Sequence, residues 1–182
     1  MKTKKILLWS SALLGIDQIV KVVIYQYFLD LRFDIIPPLF YFKPKFNYNY
    51  TWINDIFQLG VGYWIHIILF VFVSIFLVIF YDWSKTISGN AKIINIAFIF
   101  GFAGILSVWA CTIFWQGVLD YIYLKPLFIF DLKDLYLNLF VALYLLYFLK
   151  NRKYMASLTN KDMLNHIKKR FALLFKNRKL LK

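Results

Sequence analysis

Apolar residues in this chain gather into four long runs, from about Ile6 to Phe28, Tyr63 to Phe80, Ile93 to Ile113 and Asp131 to Lys150. Each run is about 20 residues long, the length an α-helix needs to cross a bilayer core, so the pattern predicts four transmembrane helices. Between the first two runs, Leu29 to Leu59 turns polar and aromatic, with Pro37, Pro38 and Pro44 placed to break a helix. A second such segment, Phe114 to Phe130, carries Gly117 and Pro126 as breakers, with Trp115 and several tyrosines as interface anchors. A turn holding Asp82, Lys85, Ser88, Gly89 and Lys92 joins the second run to the third. The reading is an all-α integral membrane protein: residues 1–150 form a four-helix membrane domain and residues 151–182 a basic tail.

Composition agrees, since 62% of the 182 residues are hydrophobic and a soluble domain of this size could not hide them. The net charge of +13 would suit a nucleic-acid partner if it were spread over a surface. It sits instead at the two ends, in Lys2, Lys4 and Lys5 and in the stretch from Lys150 to Lys182, where Asp162 is the one acid. Such a bias places both termini and the middle turn in the cytoplasm and both aromatic segments outside, with membrane lipid and not nucleic acid as the partner. In the tail, Leu164, Ile167, Phe171 and Leu174 recur at helical spacing and predict an amphipathic helix on the inner leaflet, a disordered tail being the alternative. The basic start and apolar middle of the first run resemble a secretory signal peptide, but no small-x-small cleavage site follows.

Asp17, Gln18 and Lys21 interrupt that first run, and ionisable groups at membrane depth usually face a protein interior. Lys21 is expected to pair with Asp17 or with a backbone carbonyl. The chain has no glutamate, so any carboxylate chemistry falls to its nine aspartates. One cysteine, Cys111, and two histidines, His66 and His166, supply no metal cluster, and no metal or organic cofactor is expected. Asp134 precedes Lys150 by roughly 24 Å of helix, just under the outer surface, and Asp120 lies at a similar depth. Two carboxylates brought together there would share a proton, so that one could act as base on a water and the other as acid towards a carbonyl. The same residues also read more simply: Asp131 and Asp134 suit the positive end of a helix, and Asp120 suits a loop.

From about Leu14 to Asn138 the order of these motifs resembles the signal peptidase II family. Asp17, Gln18 and Lys21 match its Asp-Gln-x-x-Lys, and Asn47 to Trp52 loosely match its Asn-x-Gly-Ala-Ala-Phe, with Asn49 where glycine is usual. Gly117 to Tyr121 resemble Gly-x-Val-Val-Asp-Phe with one residue fewer after the glycine, and Phe130 to Asp134 match Phe-Asn-x-Ala-Asp. One block departs: in place of Asn-x-x-Asp-Arg stand Val108, Trp109, Ala110, Cys111 and Thr112, although Gly104 and Ser107 keep the small residues before it.

The resemblance implies an aspartic endopeptidase of the bacterial cytoplasmic membrane, with Asp120 and Asp134 as its catalytic pair. Its substrates would be prolipoproteins, cut just before a diacylglyceryl-cysteine. Asp17, Lys21, Asn47, Gly104 and Gly117 would support the site. Asn47 could hold substrate backbone or a loop carbonyl, or simply form a turn. Lys133 is expected to snorkel to the interface in preference to biasing an aspartate, and Cys111 to be a small buried apolar residue. The missing block leaves a competing reading, a relative that binds signal peptides or lipid without cleaving. A small transporter or scaffold is a third, opposed by the position of the two aspartates at one surface, since a transport path would want ionisable groups near the midplane.

Overall fold

The computed structural model describes residues 3–87 and 91–152, with residues 162, 164–166, 168, 169 and 172 of the tail. Four helices are long and apolar enough to cross a membrane, spanning Thr3–Phe28, Tyr63–Thr86, Lys92–Trp115 and Leu132–Lys150. In chain order the elements are α1 (Thr3–Val23), β1 (Phe33–Ile36), β2 (Phe40–Asn47), α2 (Trp52–Phe57), α3 (Tyr63–Ile87), α4 (Ala91–Ala110), β3 (Val118–Leu124), β4 (Phe128–Phe130) and α5 (Leu132–Lys150). A wider π turn extends α1 over Ile24–Phe28 and α4 over Cys111–Trp115. Ser88 and Gly89 of the expected turn lie outside the described residues, as do Ile167, Phe171 and Leu174 of the expected tail helix.

Helix α4 is the centre of the bundle: 56% of its apolar stretch is buried, against 17–22% in the other three spans. It packs on α1, α5 and α3, and the outward faces of those three carry exposed residues such as Leu8, Ile19, Phe72 and Leu145, as lipid-facing surfaces do. Hydrogen bonds stitch the helices where hydrophobic driving force between them is weak. Ser10 donates to the Ile99 carbonyl at 3.0 Å, Trp109 to Ser74 at 2.9 Å and Tyr136 to the Leu13 carbonyl at 3.3 Å. The α4–α5 approach depends on glycine. A Cβ on Gly104 would lie 2.5 Å from the Leu137 side chain and 3.5 Å from the Lys133 carbonyl.

The two aromatic segments that read as outer loops fold together into one antiparallel sheet, ordered β1-β2-β3-β4. Strand β2 pairs with β3 from Phe40 opposite Leu124 to Asn47 opposite Val118, and Lys45 stands opposite Asp120. The register slips between Phe42 and Lys45, where Pro44 offers no N–H to the ladder and a bulge absorbs the irregularity. Ile24, Leu119 and Tyr121 form a small core beneath the sheet, joined by Phe42 and Phe46. The sheet thereby fixes β3, and with it Asp120, over the end of the bundle where α5 begins.

Candidate active site

Asp120 sits mid-strand in β3 with 5% of its surface exposed, while Asp134 lies in the first turn of α5. That turn is built by a reciprocal cap. The Asp131 side chain accepts from the Asp134 N–H at 3.2 Å, and the Asp134 side chain accepts from the Asp131 N–H at 3.2 Å. The helix-terminus reading of these two acids thus holds for one oxygen of each. Carboxylate oxygens of Asp120, Asp131 and Asp134 fall within 4.8 Å of one another, a spacing that a hard cation would accept. The chain supplies its own cation there: the Lys133 ammonium meets Asp131 at 2.9 Å, Asp134 at 3.2 Å and Asp120 at 3.3 Å.

Lys133 is therefore not the snorkelling residue expected from sequence; its 5% exposure places it inside the bundle. Three carboxylates around it outweigh the cost of drawing an ammonium away from the interface. Lys21 forms a second buried centre, with Asp17 at 2.8 Å and Asp131 at 2.7 Å, all fully buried. Cys111 belongs to this centre, since Lys21 donates to its sulfur at 3.2 Å. Gln18 donates to Asp17 at 2.8 Å and accepts from the Trp115 indole at 3.1 Å, which ties α1 to the π turn after α4.

Burial pushes the Asp120 carboxyl up to about 7, with Lys133 opposing and Asp131 and Asp134 adding to the rise. Burial would raise Asp131 too, but Lys133 and then Lys21 hold it below the usual carboxylate range. Asp131 is thus ionised between two cations, and Asp120 is poised near neutrality.

Asn47 is the turn former: its side chain accepts from the Asn49 N–H at 2.8 Å. Gly117 lets β3 start beside that turn, because a Cβ there would meet the Tyr48 ring at 3.1 Å and the Asn47 carbonyl at 3.4 Å. Buried Asn54 then braces the same loop, donating to the Asn49 and Val61 carbonyls at 3.0 Å and accepting from the Val61 N–H at 3.1 Å.

A cavity of about 220 Å³ opens beneath this loop. Asp120, Lys133, Asp134 and Asn47 form its polar end, and Phe70, Val73, Val108 and Leu137 its apolar walls. A second cavity of about 170 Å³ also reaches Asp120 and Asn47 and is lined by Lys45, Asp55 and Tyr123 along with Ile56 and Leu127. Asp120 therefore lines both a more polar approach and an apolar one.

Asp131 and Lys133 are the site residues whose part sequence reading missed. Their signal was present, as an acid and a base standing together where the resembling block has asparagine and alanine.

Two solved bacterial membrane enzymes, both determined by the in meso method, share the fold. One is 21% identical over 82% of this chain and 90% of its own, with a TM-score of 0.67. The other is 19% identical over 82% and 95%, with a TM-score of 0.60. No curated protein matches the chain. The family model "Signal peptidase (SPase) II" matches residues 9–150, all of the bundle with its sheet except the first residues of α1, and the chain belongs to the signal peptidase II family.

Proposed function

We propose that the chain is an intramembrane aspartic endopeptidase that removes signal peptides from prolipoproteins just before a diacylglyceryl-cysteine, with Asp120 and Asp134 as its catalytic carboxylates. One observation carries the reading: two aspartates from separate elements, β3 and α5, converge at the polar end of a cavity whose walls are otherwise apolar. An extended apolar peptide and its acyl chains suit those walls, and the second, more polar cavity that Asp120 lines gives water a route to the same carboxylate.

Asp120, poised near neutrality, takes a proton from that water as its oxygen attacks the scissile carbonyl. Asp134 opposes it across the cavity end and donates to the carbonyl oxygen as charge develops there. Collapse breaks the C–N bond, and the proton held by Asp120 passes to the leaving nitrogen. Asp17 and Lys21 anchor Asp131 from below, while Asn47, Gly104 and Gly117 set the loop, helix and strand that frame the cavity.

Residues 1–150 would act as the peptidase domain and 151–182 as a basic tail, in a bacterial cytoplasmic membrane with both termini inside. An impermeant thiol reagent applied to intact cells should reach a cysteine placed at Tyr48 and not one at Asn177; the reverse pattern would invert this topology.

The direct test is cleavage of a diacylglyceryl-prolipoprotein by purified protein in detergent, wild type against Asp120→Asn. Turnover is expected in the first alone, and it should withstand strong chelators, because Lys133 already sits on the carboxylates that a metal would need. A non-cleaving relative is favoured by Val108, Cys111 and Thr112 and by the grip of Lys133 on both aspartates. Substrate binding without turnover in the wild type would decide for it.

A further inference from the structure

Lys21 touches two positions at which the chain departs from the family's motifs. It contacts Cys111, where the family's block carries an aspartate, at 3.2 Å, and Asp131, where the family carries asparagine, at 2.7 Å. The acid has changed elements, from the end of α4 to the cap of α5. A cation has moved with it, since the arginine expected beside position 111 is replaced by Thr112, which only bonds back to the Val108 carbonyl at 2.8 Å. Lys133 brings a positive charge into the same space from α5.

We infer that Asp131 and Lys133 together replace the absent polar block, and that Lys133 is the positioning residue whose fixed charge holds the Asp120 and Asp134 carboxylates together. The inference rests on the reading of those two aspartates as the catalytic pair. An ammonium has three N–H donors, and three carboxylates at 2.9–3.3 Å take all of them. Asp131 keeps the ammonium in place because Lys21 in turn holds Asp131, which nothing in a local helix pattern would require. Among the described residues, no other cation contacts Asp120 or Asp134: Lys45, opposite Asp120 in β2, extends to Asp55 at 3.6 Å. Lys133 transfers no proton; the water proton still passes to Asp120 and then to the leaving nitrogen.

Asp120 is faced by Lys133 and Asp134 of α5, by Asp131 at its cap, and by the Lys45–Asp55 pair along the second cavity, with Lys21, Asp17 and Cys111 behind Asp131. Removing the Lys133 charge leaves acids as the nearest partners of Asp120. Its ionised form then becomes harder to reach.

The experiment compares wild type, Lys133→Met, Lys133→Arg and the double variant D131N/K133A, using a diacylglyceryl-prolipoprotein and kcat and KM from about pH 4 to about pH 9. Lys133→Met should lower kcat on the order of 10²-fold with KM nearly unchanged, as a misplaced catalytic pair does. Its rising limb of kcat/KM should move up by about one to three pH units, whereas Lys133→Arg should leave the limb where it is in wild type. D131N/K133A removes an acid and a base together, so it should insert even if Lys133→Met does not, and it should also be slower than wild type.

An unmoved limb with undiminished kcat, or faster turnover in either charge-removing variant, overturns the inference. Cleavage by D131N/K133A but not by wild type would mark Lys133 as a block, overturning this inference while upholding the peptidase reading. Absence of cleavage in all four proteins would overturn both.

Discussion

Two buried lysines share one aspartate in this protein, and they differ in what surrounds them. Lys21 lies between Asp17 and Asp131 with every partner sealed from solvent, and neither it nor Asp17 lines a cavity described above. Lys133 meets the same Asp131 and also Asp120 and Asp134, whose side chains are 7% and 24% exposed and open onto a cavity. The ion chemistry is alike and the access is not. A closed centre can only hold elements together, whereas an open one can meet a substrate and exchange protons with water.

The largest effect that separates the two centres is on turnover. Asp120→Asn and Asp134→Asn should each reduce cleavage by about 10²–10⁴-fold, measured on purified protein, because each removes a proton acceptor or donor. Lys21→Met should unfold at lower temperature and yet cleave within about tenfold of wild type per folded molecule. If Lys21→Met instead matched the aspartate variants in lost turnover while keeping its stability, the division between a holding and a working centre would collapse.

Next comes the shared acid. Asp131→Ala takes one counter-ion from each of two buried lysines and removes the α5 cap, and should cost about 3–5 kcal/mol, read from thermal unfolding in detergent. Wild-type stability in that variant would mean that the centres are independent. A smaller loss is expected from Gly104→Ala, about 1–3 kcal/mol, since the added methyl forces Leu137 away and loosens α5 beneath Lys133.

A last effect concerns pH and stability. Asp120 holds its proton more tightly when folded, so below its unfolded value it has no influence on stability. As pH rises towards about 7 the folded state is increasingly penalised, and above that the penalty is constant. Asp120→Asn should remove this dependence and be more stable than wild type at neutral pH, read from thermal unfolding across the pH range. A variant less stable at neutral pH would show that the Lys133 contact outweighs burial.

The four spans were legible because a run of about 20 apolar residues has few other uses. Asp17 and Lys21 were legible as a pair because residues four apart share a helix face. The sheet was not, since β2 and β3 meet across more than 70 residues of chain and their tyrosines and phenylalanines also suit a membrane interface. Lys133 was misread for the same reason. Seen locally it is a lysine one residue from a helix end, free to reach water; only the long-range arrival of Asp120 on β3 gives it cause to turn inward. Convergence of Asp120 and Asp134 followed from motif order, while the ion that joins them did not.

The pairing of Asp17 with Lys21 on a single helix also bears on how the protein is made. A lone charge at the centre of a span opposes release from the translocon into lipid by about 3 kcal/mol, and two unpaired ones would oppose it further. These two neutralise each other across about one turn of α1, so the first span carries no unpaired charge of its own at that depth. Helix α5 arrives similarly prepared, with Lys133 already flanked by Asp131 and Asp134 from its own first turn. Each segment thus carries its own counter-ion, and the ion pair between Lys21 and Asp131 is the contact that needs both ends of the membrane domain to be present.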